Sequence, residues 1–237
     1  MATAVSRNVE TLDSALMQRL EQVSFPTIGH FLDEGFVDPG ICSLAPGMRI
    51  VGSAVTVRIV PPDATPMAQA LDALAPGDVL VVDTGGNRTH ASIGAVTGCA
   101  ARAAGAAGVV VDGMVTDLLE LREMGLPVFA RGTSLLTTKR LGRSGGGVNS
   151  PVSCGGSVVR AGDIVLADEN GVLVLTREIA AGVVGAALDS DRAEPALIAR
   201  LQAGESPLTV LSGGSQPGSW GSTLWTEEAL GKSVRRT

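Results

Sequence analysis

Apolar positions change period along the chain, and each change predicts an element. Leu12, Leu16 and Leu20 recur at helical spacing, and Thr27 to Leu32 reads as a short helix behind Pro26. Met48 to Ile59 alternates with β-branched residues and predicts a strand, broken by Pro61-Pro62 before a helix over Met67 to Leu74. Val79-Leu80-Val81-Val82 is a continuous apolar run ending at Asp83, the pattern of a strand buried on both faces. A helix is expected from about Ala91 to Ala104, then a second buried strand, Val109-Val110-Val111, ending at Asp112-Gly113. A helix over roughly Thr116 to Met124 and a third strand from Pro127-Val128-Phe129 complete a β-α-β-α-β series, which predicts a parallel sheet with right-handed crossovers.

Beyond Arg131 the grammar shifts to hairpins. Short strands are expected around Ser157–Arg160, Ile164–Leu166 and Val172–Leu175, separated by Gly162-Asp163 and Asn170-Gly171. Glu178 to Gln202 reads as one long helix with Pro195 as a kink or break inside it. From Ser212 on, Gly, Ser and Pro give way to Lys232 and Arg235-Arg236. The expected organisation is therefore a single α/β domain over 1–211 and a flexible tail over 212–237.

Composition narrows the class. Apolar residues make up 45% of the 237 and charged residues 18%, enough to build a core and too little charge for general disorder. Four Phe, two Trp and no Tyr leave few rings for base stacking, and the net charge of −6 opposes attraction to phosphate backbones and anionic membrane. Neither nucleic acid nor membrane is expected as a partner. Cys42, Cys99 and Cys154 form no CxxC pair and read as reduced thiols. No apolar run approaches the ~18 residues of a membrane span, and Met1 to Glu10 lacks a signal peptide's apolar stretch, so the expected location is the cytoplasm.

Ligands of open parallel sheets gather outside the carboxyl ends of the strands. Asp83 and Asp112 end two strands there, each fitting either a turn role or a place at a cleft edge. Asp117 begins the following helix, where its carboxylate either caps that helix or faces the cleft. Gly94-Ala95-Val96-Thr97 opens the central helix, and its backbone amides would receive an anionic group. His90, in the loop Asn87-Arg88-Thr89-His90, reads as a general acid or base or as an ordinary loop histidine. The chain carries no GxGxxG, P-loop or G-x-S-x-G elbow, and His30 and His90 lie too far apart for a histidine-rich metal site.

Several blocks carry a resemblance. Pro46-Gly47-Met48-Arg49-Ile50-Val51-Gly52, Pro76-Gly77-Asp78-Val79, Asp112-Gly113 with Asp117, Pro127-Val128-Phe129-Ala130-Arg131-Gly132, Cys154-Gly155-Gly156 and Ala167-Asp168 with Gly171-Val172 together resemble the RraA-like family over roughly residues 10 to 205. That family includes 4-hydroxy-4-methyl-2-oxoglutarate/oxaloacetate aldolases. The resemblance implies a layered α/β sandwich with a central mixed sheet, assembled as a homotrimer or hexamer with sites between subunits. It also implies class II lyase chemistry, in which an enolate of a small 2-oxo acid is held on Mg²⁺ or Mn²⁺. The family's signature is an Asp, twenty intervening residues, then Arg-Asp; at that spacing this sequence reads Ala95, Thr116 and Asp117. Only the metal-side carboxylate, Asp117, matches. Threonine at 116 does not supply the bidentate clamp that arginine gives a carboxylate.

The resulting expectation is a metal-dependent lyase-type enzyme diverged from those aldolases. Asp117 is its metal ligand and catalytic group, with His90 moving a proton. Gly94, Ala95, Val96, Thr97, Thr116 and Arg88 bind substrate, Arg88 standing in for the missing cation. The alternatives are a non-catalytic regulator that docks on a protein partner, and an isomerase or dehydratase built on the same cleft.

Overall fold

The computed structural model describes residues 14–143 and 145–212, which group into two compact units. Among the described residues the first comprises 14–21 and Asp33–Gly182; the second comprises Gln22–Leu32 and 183–212.

The first unit is built on a mixed sheet. Its centre is parallel: β2 (Ile50–Arg58), β3 (Asp78–Asp83), β5 (Gly108–Val115) and β6 (Val128–Thr133) lie in the order β6-β5-β3-β2. Antiparallel strands extend it: β1 (Cys42–Ser43) on β6, β7 (Gly147–Val148) and β10 (Ile164–Asp168) on β2, and β11 (Gly171–Leu175) on β10. Every residue of β3 is buried. Its alternate side chains feed different cores. Leu80 and Val82 join Val57, Val109, Val111 and residues of the helices α3 (Met67–Asp72), α4 (Ala95–Ala103) and α5 (Leu118–Met124); Val79 and Val81 join Val110, Phe129, Cys154 and Val165. The β-α-β-α-β series is thus observed as β3-α4-β5-α5-β6.

One expected helix starts as a strand. Ala91–Ile93 forms β4, which pairs in parallel with Met114 and Val115 of β5, and α4 begins only after Gly94. Pairing with an already formed strand wins because these three residues can bury Ala91 and Ile93 against β5. The hairpin expected after Asp168 is β10–β11, in register from Ile164↔Leu175 to Asp168↔Gly171. The strand at Ser157–Val159 (β9) instead pairs back onto Val152–Cys154 (β8), a strand the sequence pattern did not separate from its loop.

In the second unit α2 (Phe25–Ile28) is capped by a side chain distant in sequence. The carboxylate of Asp191, on α6, accepts Ser24 N–H at 2.8 Å and Thr27 Oγ1–H at 2.5 Å. The long helix α6 (Arg177–Gln202) runs through Pro195 as one helix, and α7 (Pro207–Ser212) follows. From residue 213 the expected tail lies outside the described residues. Among those described, no helix is long and apolar enough to cross a membrane.

Candidate functional site

Parallel register sets Asp83 opposite Asp112 at the carboxyl ends of β3 and β5, where ligands of such sheets bind. Both are buried and committed to the fold. Asp83 accepts Gly85 N–H at 2.7 Å on Oδ1, and Arg58 Nη1–H at 2.8 Å and Ser153 N–H at 3.2 Å on Oδ2. Asp112 accepts Arg131 Nε–H at 2.5 Å on Oδ1 and Gly155 N–H at 2.8 Å on Oδ2. Arg131 also reaches Asp38 at 3.4 Å. Burial alone would lower the Arg131 pKa, and the carboxylates of Asp112 and Asp38 more than offset it, raising the pKa. Burial, followed by the charges of Asp112 and Asp83, pushes the Cys154 thiol up, so it stays protonated. These two carboxylates therefore take the structural role of the two open to them, and the exposed chemistry lies one loop further on.

That chemistry centres on Asp117. It sits at the N-cap position of α5 with φ 52 and ψ 46, a left-handed conformation that Asp tolerates better than most residues. Yet its side chain makes no cap bond to α5. It turns to the neighbouring helix, where Oδ2 accepts Ala95 N–H, the first amide of α4, at 2.8 Å. A carboxylate on a helix N-terminus is stabilised by the unpaired amides and the helix dipole. The other oxygen, Oδ1, has Thr116 Oγ1 at 3.4 Å, and Asp117 as a whole is exposed. Asp117 thus caps a helix, but not its own.

Backbone pairing builds the corner. Thr116 N–H donates to Ile93 O at 2.8 Å, continuing the β4–β5 contact, so Gly94 lies directly beside Thr116 and Asp117. Of the predicted site residues, Gly94, Ala95, Thr116 and Asp117 come together. Val96 and Thr97 follow in the first turn of α4, where helix geometry leaves amides without intrahelical acceptors. Arg88 and His90 belong to a different local structure. Asn87 Oδ1 accepts the N–H groups of Thr89 (3.0 Å) and His90 (2.8 Å), and His90 Nδ1 lies 2.9 Å from Thr89 Oγ1. Arg88 is exposed and adds, after Gly40 N–H and Arg131, to the forces that lower the Asp38 pKa.

Among the described residues no group of three or more His, Cys, Asp and Glu is arranged to hold an ion. The donor set at Asp117 fits a different site, since Mg²⁺ is commonly held through one or two carboxylates with water and substrate oxygens filling the rest. Asp117 Oδ1 provides one such carboxylate oxygen. What sequence reasoning missed is Arg58 and Arg131, the partners of the two buried carboxylates, and Asp38, the second acid on Arg131. The Pro127–Gly132 block contains Arg131, but no local signal says which acid it faces.

The RraA-like profile, described as Aldolase/RraA, matches residues 27–174. A protein of Halalkalibacterium halodurans, provisionally named a 4-hydroxy-4-methyl-2-oxoglutarate aldolase, is 36% identical over 129 residues, 54% of this chain. The match spans only 60% of that relative's length. Streptomyces coelicolor RraAS2, described as an unusual member of the RNase ES inhibitor RraA family, superposes with a TM-score of 0.71 at 29% identity over 78% of this chain and 96% of its own. An uncharacterized protein from Pseudomonas syringae pv. tomato superposes with a TM-score of 0.75 at 24% identity, covering 90% of this chain and all of that one, which speaks to fold alone.

Proposed function

We propose, from the premise that this chain belongs to the RraA-like family, that it is a divalent-metal-dependent lyase-type enzyme acting on a small 2-oxo acid or related carbonyl compound. The observation that carries this reading is the geometry of Asp117: an exposed carboxylate, held by a left-handed backbone and one helix amide, whose second oxygen is met only by the long 3.4 Å hydrogen bond from Thr116 Oγ1. Asp117 Oδ1 would hold Mg²⁺ or Mn²⁺, with water and substrate oxygens completing the shell. A dication there would supply Lewis-acid stabilisation of the enolate charge that develops on the 2-oxo oxygen when the C3–C4 bond, one carbon removed from the 2-oxo carbon, breaks and CO2 or a carbonyl compound departs. The amides of Val96 and Thr97 receive the substrate carboxylate, and the Thr116 hydroxyl exchanges its long bond to Asp117 Oδ1 for one to a substrate oxygen. Arg88 and His90, on the Asn87 turn, would supply a cation and an imidazole from the loop that precedes β4. Sharing Asp117 with a helix N-terminus weakens its hold on a bare cation, so cation and chelating 2-oxo acid are expected to load together.

The test is release of pyruvate from oxaloacetate by purified protein with Mn²⁺. This reading expects a turnover that depends on the metal and is lost in Asp117→Asn; equal turnover in the two proteins removes Asp117 from the chemistry. A trimer-based assembly belongs to the same proposal and is checked by light scattering.

A second reading is favoured by likeness to solved RraA proteins, including one from Thermus described as an RNA-processing inhibitor, 31% identical with a TM-score of 0.59. On that reading the chain docks on a protein partner without turnover. Partner capture would then survive Asp117→Asn, and no metal dependence would appear.

A further inference from the structure

Gly94 has an ordinary extended backbone, φ −144 and ψ −167, which any L-residue adopts. Its glycine is therefore not explained by conformation. It is explained by space, because a Cβ at this position would stand 2.5 Å from Asp117 Oδ2 and 2.8 Å from Thr116 Cγ2. Neither neighbour yields cheaply. Thr116 is tied through its backbone to Ile93, and Asp117 has a short side chain on a backbone already in the left-handed region.

We infer that Gly94 is a positioning residue: the gap where its side chain would stand lets the Asp117 carboxylate seat on the first amide of α4 through Oδ2 and turn Oδ1, met only by the long bond from Thr116 Oγ1, toward a ligand. The inference rests on the reading of Asp117 as the cation-holding group. Gly98, one turn along the same helix, separates this role from simple packing. A Cβ there would also meet an atom at 2.5 Å, but that atom is Cδ2 of Leu121, part of the apolar contact between α4 and α5.

The experiment measures two quantities on the full chain, hydrogen exchange at the Ala95 amide by NMR and Mn²⁺ affinity by electron paramagnetic resonance with oxalate present. In Gly94→Ala, loss of the charge-assisted bond speeds Ala95 exchange by about tenfold or more, and displacement of the carboxylate weakens Mn²⁺ binding by about tenfold or more. In Gly98→Ala both change by clearly less than in Gly94→Ala, because the added methyl presses on Leu121 and not on the Asp117 carboxylate. Asp117→Asn keeps an acceptor oxygen and so keeps Ala95 protected, while Mn²⁺ affinity is lost. Unchanged Ala95 exchange in Gly94→Ala overturns the inference. If the parent protein binds no Mn²⁺, the metal reading fails alone, and Ala95 exchange still decides the role of Gly94. Should Gly94→Ala not fold, it is introduced with Asp117→Ala and Thr116→Ser, which empty the space; failure to fold there as well overturns the inference.

Discussion

Asp112 and Arg131 form a buried ion pair, Nε to Oδ1 at 2.5 Å, on neighbouring parallel strands, with side chains only 7% and 9% exposed. Both carboxylate oxygens of Asp112 are in use, the second by Gly155 N–H, so the pair also ties the β8–β9 hairpin to the sheet. Removing one member of such a pair strands the other in a medium that solvates it poorly.

Arg131→Ala is therefore expected to lower unfolding free energy by about 3 kcal/mol. Arg58→Ala should cost less, because Arg58 is 48% exposed and solvent screens its contact with Asp83. Urea unfolding of the two variants checks the order; equal losses would mean that burial does not govern this layer.

Asp63 gives a pH prediction. Its carboxylate accepts Thr65 Oγ1–H, Leu141 N–H, Arg143 N–H and Thr65 N–H, and these bonds, Thr65 Oγ1–H first, hold its pKa well below the usual carboxylate range. A depressed carboxylate stabilises the fold above its unfolded pKa of about 4, and that contribution drains away as pH falls below it. Asp63→Asn should thus be less stable than the parent protein at pH 7, with the gap closing in acid. Asp163, whose pKa is raised chiefly by burial, works in the opposite sense and gains stability as pH falls through its folded value. Thermal melts of both proteins at pH 7 and pH 3 decide it; a gap that widens in acid contradicts the assignment.

Arg88→Ala tests the replacement cation. Arg88 is exposed, so its removal should change stability by no more than about 0.5 kcal/mol. If it meets the substrate carboxylate, KM for oxaloacetate rises several-fold at little change in kcat, the pattern of lost uniform binding. An unaltered KM removes Arg88 from the site.

Most of the sheet was legible because Val79–Val82 and Val109–Val111 are apolar on both faces, a pattern that buried parallel strands produce and solvent-facing elements do not. The strand β4 was not, since Ala91-Ser92-Ile93 is too short to carry a period and its pairing partner is more than twenty residues away. Asp117 and the start of α4 were both visible as candidates. Their contact was not, because it depends on Thr116 pairing with Ile93 and on a left-handed residue at 117, neither written in local propensity. The same holds for Arg131 and Asp112, nineteen residues apart and joined only by strand register.

Calorimetric titration of the parent protein and Asp117→Asn with Mn²⁺, with and without oxalate, tests the central claim most directly. The account predicts binding by the parent protein that tightens with oxalate, and loss of about tenfold or more in affinity in Asp117→Asn at a melting temperature lowered by no more than a few degrees, the cost of the lost charge at the α4 N-terminus. Equal affinity in the two proteins, or no Mn²⁺ binding by the parent protein even with oxalate, would contradict it.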